Sequence, residues 1–165
     1  MTTLVVGASG ATGRLLLEQL LDQGETVKAI VRSVESLPAQ LLQNSQLTVT
    51  QASLLEMSDA ELLSQVQGCY AIASCLGHNL SFRGIFGHPR RLVTDSVKRL
   101  CLAVEKTRPT LPVKFVLMNT TGNSNRDIVE QTPFSQKLVI AILRKILPPH
   151  LDNELAADFL RLNVG

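Results

Sequence analysis

The chain has 165 residues, 45% of them apolar, and a net charge of +2, which suffices for one sizeable core and is too short to promise two domains. Its basic residues are spread along the sequence, so there is no electrostatic case for nucleic acid as the main partner. The longest uncharged apolar stretch, Leu138 to Leu143, falls far below the ~20 residues needed to cross a bilayer, and no membrane segment is expected.

From the start, Met1-Thr2-Thr3-Leu4 runs straight into a strand pattern, Thr3 to Val6, without the basic flank and cleavage site of a secretory signal. A cytoplasmic location is the expectation. Gly7-Ala8-Ser9-Gly10-Ala11-Thr12-Gly13 follows directly and opens a helix, Thr12 to Gln23, before a second strand, Thr26 to Val31. Between a strand and a helix the three glycines have separate uses: a tight turn, close approach of backbone to a pyrophosphate, and tight packing of helix on strand. The helix N-terminus adds free N–H groups and positive dipole, and Ser9 and Thr12 add hydroxyl donors. The plainer alternative is a small-residue turn chosen for packing alone.

A carboxylate at the end of the second strand would accept from the ribose 2′-OH of NAD. Val31-Arg32-Ser33 stands there instead, and a guanidinium suits the 2′-phosphate of NADP, unless Arg32 is an ordinary solvated arginine. Arg14, in the first helical turn, can stack over adenine or approach the same phosphate.

Further along, a short helix near Ser36 to Leu42 precedes a strand from Leu47 to Gln51, a helix from Ser58 to Gln65 and a strand from Cys69 to Cys75. A helix is expected over Pro89 to Thr107, where Leu92, Val93, Val97, Leu100, Cys101 and Val104 form one buried stripe. The remaining elements are a strand from Val113 to Met118 and helices from Pro133 to Leu147 and Asn153 to Leu162. Pro148-Pro149 separates those two helices, and Thr132 and Asp152 cap them. Five strands alternating with helices read as an α/β fold, a doubly wound parallel sheet covered on both faces. Cys69, Cys75 and Cys101 lack CxxC spacing and read as reduced core thiols, with no metal site.

GASGATG followed by VKAIVRS, and later LMNTTGN, resembles the atypical short-chain dehydrogenase/reductase proteins, among them the NmrA-like and the flavin and biliverdin-IXβ reductase types. The similarity covers nearly all of the chain and is specific in the first βαβ unit. It implies a Rossmann sheet of order 3-2-1-4-5, bound NADP(H) in preference to NAD(H), and hydride transfer to a small carbonyl or flavin-type acceptor. Non-catalytic cofactor binding in a regulatory or scaffold role, and epimerase-like isomerisation, are the alternatives.

The same resemblance places Ser53 and Leu54 beside adenine, where an Asp is usual, and Cys75, Leu76 and Gly77 along the cofactor ribose and phosphates. The phosphate cradle is Gly7, Ser9, Gly10, Ala11, Thr12 and Gly13, with Arg32 and Ser33 at the 2′-position. Short-chain dehydrogenases pair a Ser with Tyr-x-x-x-Lys. Aligned on Thr120, the tyrosine position falls on Pro133 and the lysine on Lys137. Thr120 and Thr121 are therefore the expected catalytic hydroxyls and Lys137 the ribose ligand and catalytic cation, with water, His78 or His88 to deliver a proton.

The loop from Gly77 to Arg91 carries Arg83, Arg90 and Arg91, which favour an acidic or phosphorylated substrate if they are more than a solvated basic surface. Comparable family members continue past the last helix, whereas this sequence ends at Asn163-Val164-Gly165. The resemblance thus leaves the substrate side open, truncated or completed by another subunit, in which case the chain is a homo-oligomer.

Overall fold

A computed structural model of the chain describes residues 1–78, 88–119 and 148–164. They fall into two compact units, Met1–Leu76 with Ser96–Met118, and Gly77–Asp95 with Asn119–Gly165.

The first unit holds the sheet. Its elements are β1 (Thr2–Val6), α1 (Ala11–Asp22), β2 (Thr26–Val31), a 3-10 turn (Val34–Ser36), α2 (Ala39–Leu42), β3 (Leu47–Gln51), α3 (Asp59–Val66), β4 (Ala71–Ser74), the larger part of α4 (Leu92–Thr107) and β5 (Lys114–Leu117). Every pairing is parallel and the order is β3-β2-β1-β4-β5, as the resemblance implied.

Both faces of the sheet are covered, because the strands alternate apolar residues between them with period two. Leu4, Val6, Ile30 and Ile72 pack with Leu62 and Val66 of α3 and Leu100 of α4. Val5, Val27, Ala29, Val31 and Ala73 pack with Leu17 and Leu21 of α1. Each fully buried leucine or isoleucine adds roughly 1.5–3 kcal/mol of hydrophobic stabilisation.

α3 starts where its sequence dictates. Ser58 accepts through its hydroxyl from the Glu61 amide at 3.3 Å, and Glu61 accepts from the Ser58 amide at 2.7 Å. This reciprocal cap satisfies two donors that a helix N-terminus otherwise leaves unpaired. At its other end Lys28 donates to the carbonyls of Ser64, Gln65 and Gln67 at 3.4, 3.1 and 3.1 Å, placing a cation on the negative end of the helix. The cysteines are free, Cys69 and Cys101 being buried, and burial together with the charge of Glu105 pushes the Cys101 thiol up to about 11.

The described residues of the second unit include a helix, α5, spanning Pro148–Asn163. The reading of Asp152 as the cap of its own helix is corrected: the helix starts at Pro148, and the prolines form its first turn, where no amide partner is lost. Asp152 lies inside the helix and caps another one. Its carboxylate, 1% exposed, accepts from the amides of Val93 and Thr94 at 2.8 and 3.0 Å in the first turn of α4. His78 Nε2 lies 2.9 Å from it, and the Thr94 hydroxyl donates to the Asp152 carbonyl at 2.9 Å. Burial raises the carboxyl, but bonds from His78, Thr94 and the two amides outweigh it and hold Asp152 below its ordinary value. The expected helix over 133–147 lies outside the described residues.

Candidate dinucleotide-binding site

Four segments leave the same edge of the sheet. β1 ends at Val6, paired with Ile30 of β2 and Ser74 of β4, and Val31 pairs with Gln51 of β3. Register alone therefore sets residues 7–13, 32–33, 52–54 and 75–76 side by side at the carboxyl ends of the strands, where ligands of open α/β sheets bind.

Each glycine of the turn is explained differently. Gly7 has φ +76°, and a Cβ on it would stand 2.5 Å from the carbonyl carbon of Cys75. A Cβ on Gly13 would meet the Gly7 carbonyl oxygen at 2.2 Å. These two are demanded by the protein itself. Gly10 is not: a Cβ there meets only the Gly7 oxygen, at 3.4 Å, and the residue is exposed. Glycine at this position leaves clear the space above the start of α1.

That start is bare. Gly10 is the N-cap of α1, no side chain caps it, and no acidic residue lies in the first turn. Ser9, Ala11 and Thr12 are exposed around it. Free N–H groups at a helix start, positive dipole and an open approach are the features that suit an anion.

Arg32 is exposed just beyond β2. Ser33 is less available than its sequence position suggests, because its hydroxyl donates to the carboxylate of Glu35. That bond holds the exposed Glu35 carboxyl below its ordinary value. Glu35 was missed in the sequence because it lies past the strand end, and the 3-10 turn at Val34–Ser36 brings it back.

After β3, Ser53 begins a turn whose carbonyl accepts from the amides of Glu56 and Met57 at 2.9 and 3.1 Å. Leu54 is 7% exposed and its side chain belongs to the core, so it can border a ligand only through its backbone. Cys75 donates its amide to the Val6 carbonyl at 2.9 Å, and burial pushes its thiol up. Ser74 heads the segment that the resemblance set along the ribose and phosphates, and it closes β4. Its hydroxyl is fully buried and has no hydrogen-bond partner among the described residues. Beside it an apolar groove of about 360 Å³ runs between α1, β4 and β5, lined in part by Thr12, Leu15, Cys75 and Met118. Gly77, two residues after Cys75, is exposed, and a Cβ on it would meet nothing within 4 Å.

Thr120, Thr121 and Lys137 lie outside the described residues. Tyr70 sits at the opposite edge of the sheet: its amide donates to the Thr2 carbonyl at 2.8 Å, its carbonyl accepts from the Lys114 amide at 3.0 Å, and its hydroxyl pairs with the Lys114 side chain. His78 is engaged with Asp152, whereas His88 is exposed. Among the described residues no helix is long and apolar enough to cross a membrane, and no three metal-binding side chains cluster.

Solved structures share this architecture. The oxidoreductase ylbE from Lactococcus lactis is 20% identical with a TM-score of 0.66, over 98% of this chain and 64% of that one. A short-chain dehydrogenase/reductase from Veillonella parvula, solved in complex with NADP, is 13% identical with a TM-score of 0.69, over 98% and 64%. UDP-glucose 4-epimerase from Thermotoga maritima is 16% identical with a TM-score of 0.67, over 98% and 50%. The chain thus spans about two thirds of the length of the first two. No curated protein matches it. The profile of the NAD(P)H-binding family matches residues 7–158, nearly the whole sequence, and with the glycine cradle at its head the chain belongs to that family.

Proposed function

We propose that the protein is an NADPH-dependent reductase of the atypical short-chain type, acting in the cytoplasm on a small carbonyl or flavin-type acceptor. The observation that carries this reading is Gly10, a glycine the protein does not need, at a bare helix N-terminus one strand away from Arg32. Bound nicotinamide supplies the hydride. The residues of this chain hold and orient: the Gly7–Gly13 turn takes the pyrophosphate, Arg32 the 2′-phosphate, the Ser53 turn the adenine, and Cys75 to Gly77 the ribose. Thr120 and Thr121 donate to the substrate oxygen, where negative charge develops, and Lys137 holds the nicotinamide ribose. Arg90 and Arg91, both exposed, favour an acidic acceptor.

NADPH is expected to bind more tightly than NADH, and Arg32→Ala to reduce the difference. One charge-assisted hydrogen bond is worth roughly 1.5–3 kcal/mol, about one to two decades of affinity, and the exposure of Arg32 puts the effect at the lower end. Fluorescence titration of both cofactors against both proteins measures it. Equal affinities in the wild type would reject the assignment of Arg32.

A second reading is favoured by Tyr70, the only tyrosine, which lies at the wrong edge of the sheet to serve as an acid. A chain without that acid suits a protein that binds NADP without turnover and acts through a partner. NADPH oxidation stimulated by a carbonyl or flavin panel supports the reductase. Tight binding with no turnover across the same panel supports the second.

A further inference from the structure

We propose that Arg99 is the positioning residue for the adenine side of the cofactor site, an inference that rests on the cofactor reading above. Its guanidinium gathers three backbone carbonyls of the turn that follows β3. Nη1 donates to Leu54 and Leu55 at 2.9 and 2.8 Å, and Nη2 donates to Met57 at 2.5 Å. Nη2 also lies 3.5 Å from the Asp59 carboxylate, which Lys106 holds at 2.7 Å from the other side.

Three carbonyls aimed at one point repel one another and are stable only around a donor-rich cation. Arginine fits because its planar fork spreads its donors over two terminal nitrogens, one for each pair of acceptors. A lysine has a single nitrogen and cannot reach all of them. The turn itself is short and has few other restraints: Ser53 accepts from Glu56 and Met57, and Ala52 donates to the Val31 carbonyl at 2.8 Å. Buried Leu54 and Met57 fix its inner side, whereas Ser53 is only partly buried and Glu56 is exposed. Arg99 therefore determines where the Ser53 hydroxyl and its neighbouring backbone stand relative to Val31 and Arg32, the two walls between which an adenosine 2′-phosphate would lie. It does so without touching the ligand, from a helix 45 residues away in sequence.

The test separates the two halves of the cofactor. Affinities for 2′,5′-ADP and 5′-ADP, and for reduced nicotinamide mononucleotide, are measured by ligand-observed NMR with wild type, Arg99→Lys and Arg99→Met. Arg99→Met is expected to weaken whichever adenine nucleotide binds the wild type better by about tenfold, to leave nicotinamide mononucleotide unchanged, and to be partly rescued by lysine. Equal weakening of both halves would show a general loss of stability and overturn the positioning role, as would an unchanged adenine affinity in a folded variant. If neither adenine nucleotide binds the wild type, the cofactor reading fails and carries this inference with it. Hydrogen exchange of wild-type residues 53–57 needs no variant: slowing on addition of the adenine nucleotide is expected, and no change would overturn the proposal even where binding is seen.

Discussion

A Gly10→Val protein is expected to keep its fold and lose NADP(H), whereas Gly13→Ala is expected to fail at folding. The two residues belong to one turn but are constrained from opposite directions. A Cβ on Gly13 would stand 2.2 Å from the Gly7 carbonyl oxygen, and α1 would have to move off β1 to admit it. Such overpacking against backbone costs about 3 kcal/mol or more. At Gly10 the protein leaves room for a side chain, and the cost to the helix cap is about 1 kcal/mol or less. The branched side chain would instead fill the space above the helix N-terminus and displace an anion from its amides. Losing two bonds to a charged group, each roughly 1.5–3 kcal/mol, predicts a fall in affinity of more than about a hundredfold. Circular dichroism melting and titration calorimetry read the two effects separately. Undiminished NADP affinity in folded Gly10→Val would show that the pyrophosphate does not lie there.

The second large effect is expected at Asp152, whose removal should strip α4 of its cap. Val93 and Thr94, 0% and 3% exposed, would lose the acceptor of their amides, and each buried donor left unpaired costs about 1–3 kcal/mol. Asp152→Ala should therefore lower stability by about 3–5 kcal/mol at neutral pH, and Asp152→Asn by less, since one oxygen remains. The effect should depend on pH in a defined sense. The carboxyl is held below its ordinary value of 3.8 in the folded protein, so the charged form stabilises the fold. That contribution is complete above the ordinary value and is lost as pH falls through the lower folded value. Urea titrations of wild type and Asp152→Asn at pH 7 and below pH 3 should show a stability gap at the first and a smaller one at the second. A gap that does not shrink in acid would mean that the charge of Asp152 does not stabilise α4.

What could be seen in the sequence follows from how far apart the interacting residues are. The turn from Gly7 to Gly13 was legible because strand, turn and helix are contiguous, and steric demands at Gly7 and Gly13 arise within a single βαβ unit. The five strands were legible because β-branched runs buried on both faces have no helical period. Arg99 was not legible, since nothing in α4 marks one residue of its polar face as the partner of carbonyls 42 to 45 positions earlier. Asp152 was misread for a related reason. A carboxylate following two prolines fits the local pattern of a cap, and only tertiary structure shows that those prolines already form the helix and that the carboxylate reaches across to α4. Glu35 was overlooked because a 3-10 turn, too short to leave a periodic signal, folds it back onto Ser33.

The parallel register also governs how a lineage can alter this site. Every wall of the cleft hangs from the end of its own strand, and the strands are tied to one another by pairings that stop at Ile30, Ser74 and Gln51. Residues added or exchanged after Gln51 or after Ser74 change one wall and leave the others where they were. An insertion within β1 or β4 would instead turn every later residue of that strand to the opposite face and exchange its two cores. Variation is thereby channelled into strand ends, so that the preference for a phosphate or an acceptor can be refitted one segment at a time while the sheet is inherited intact.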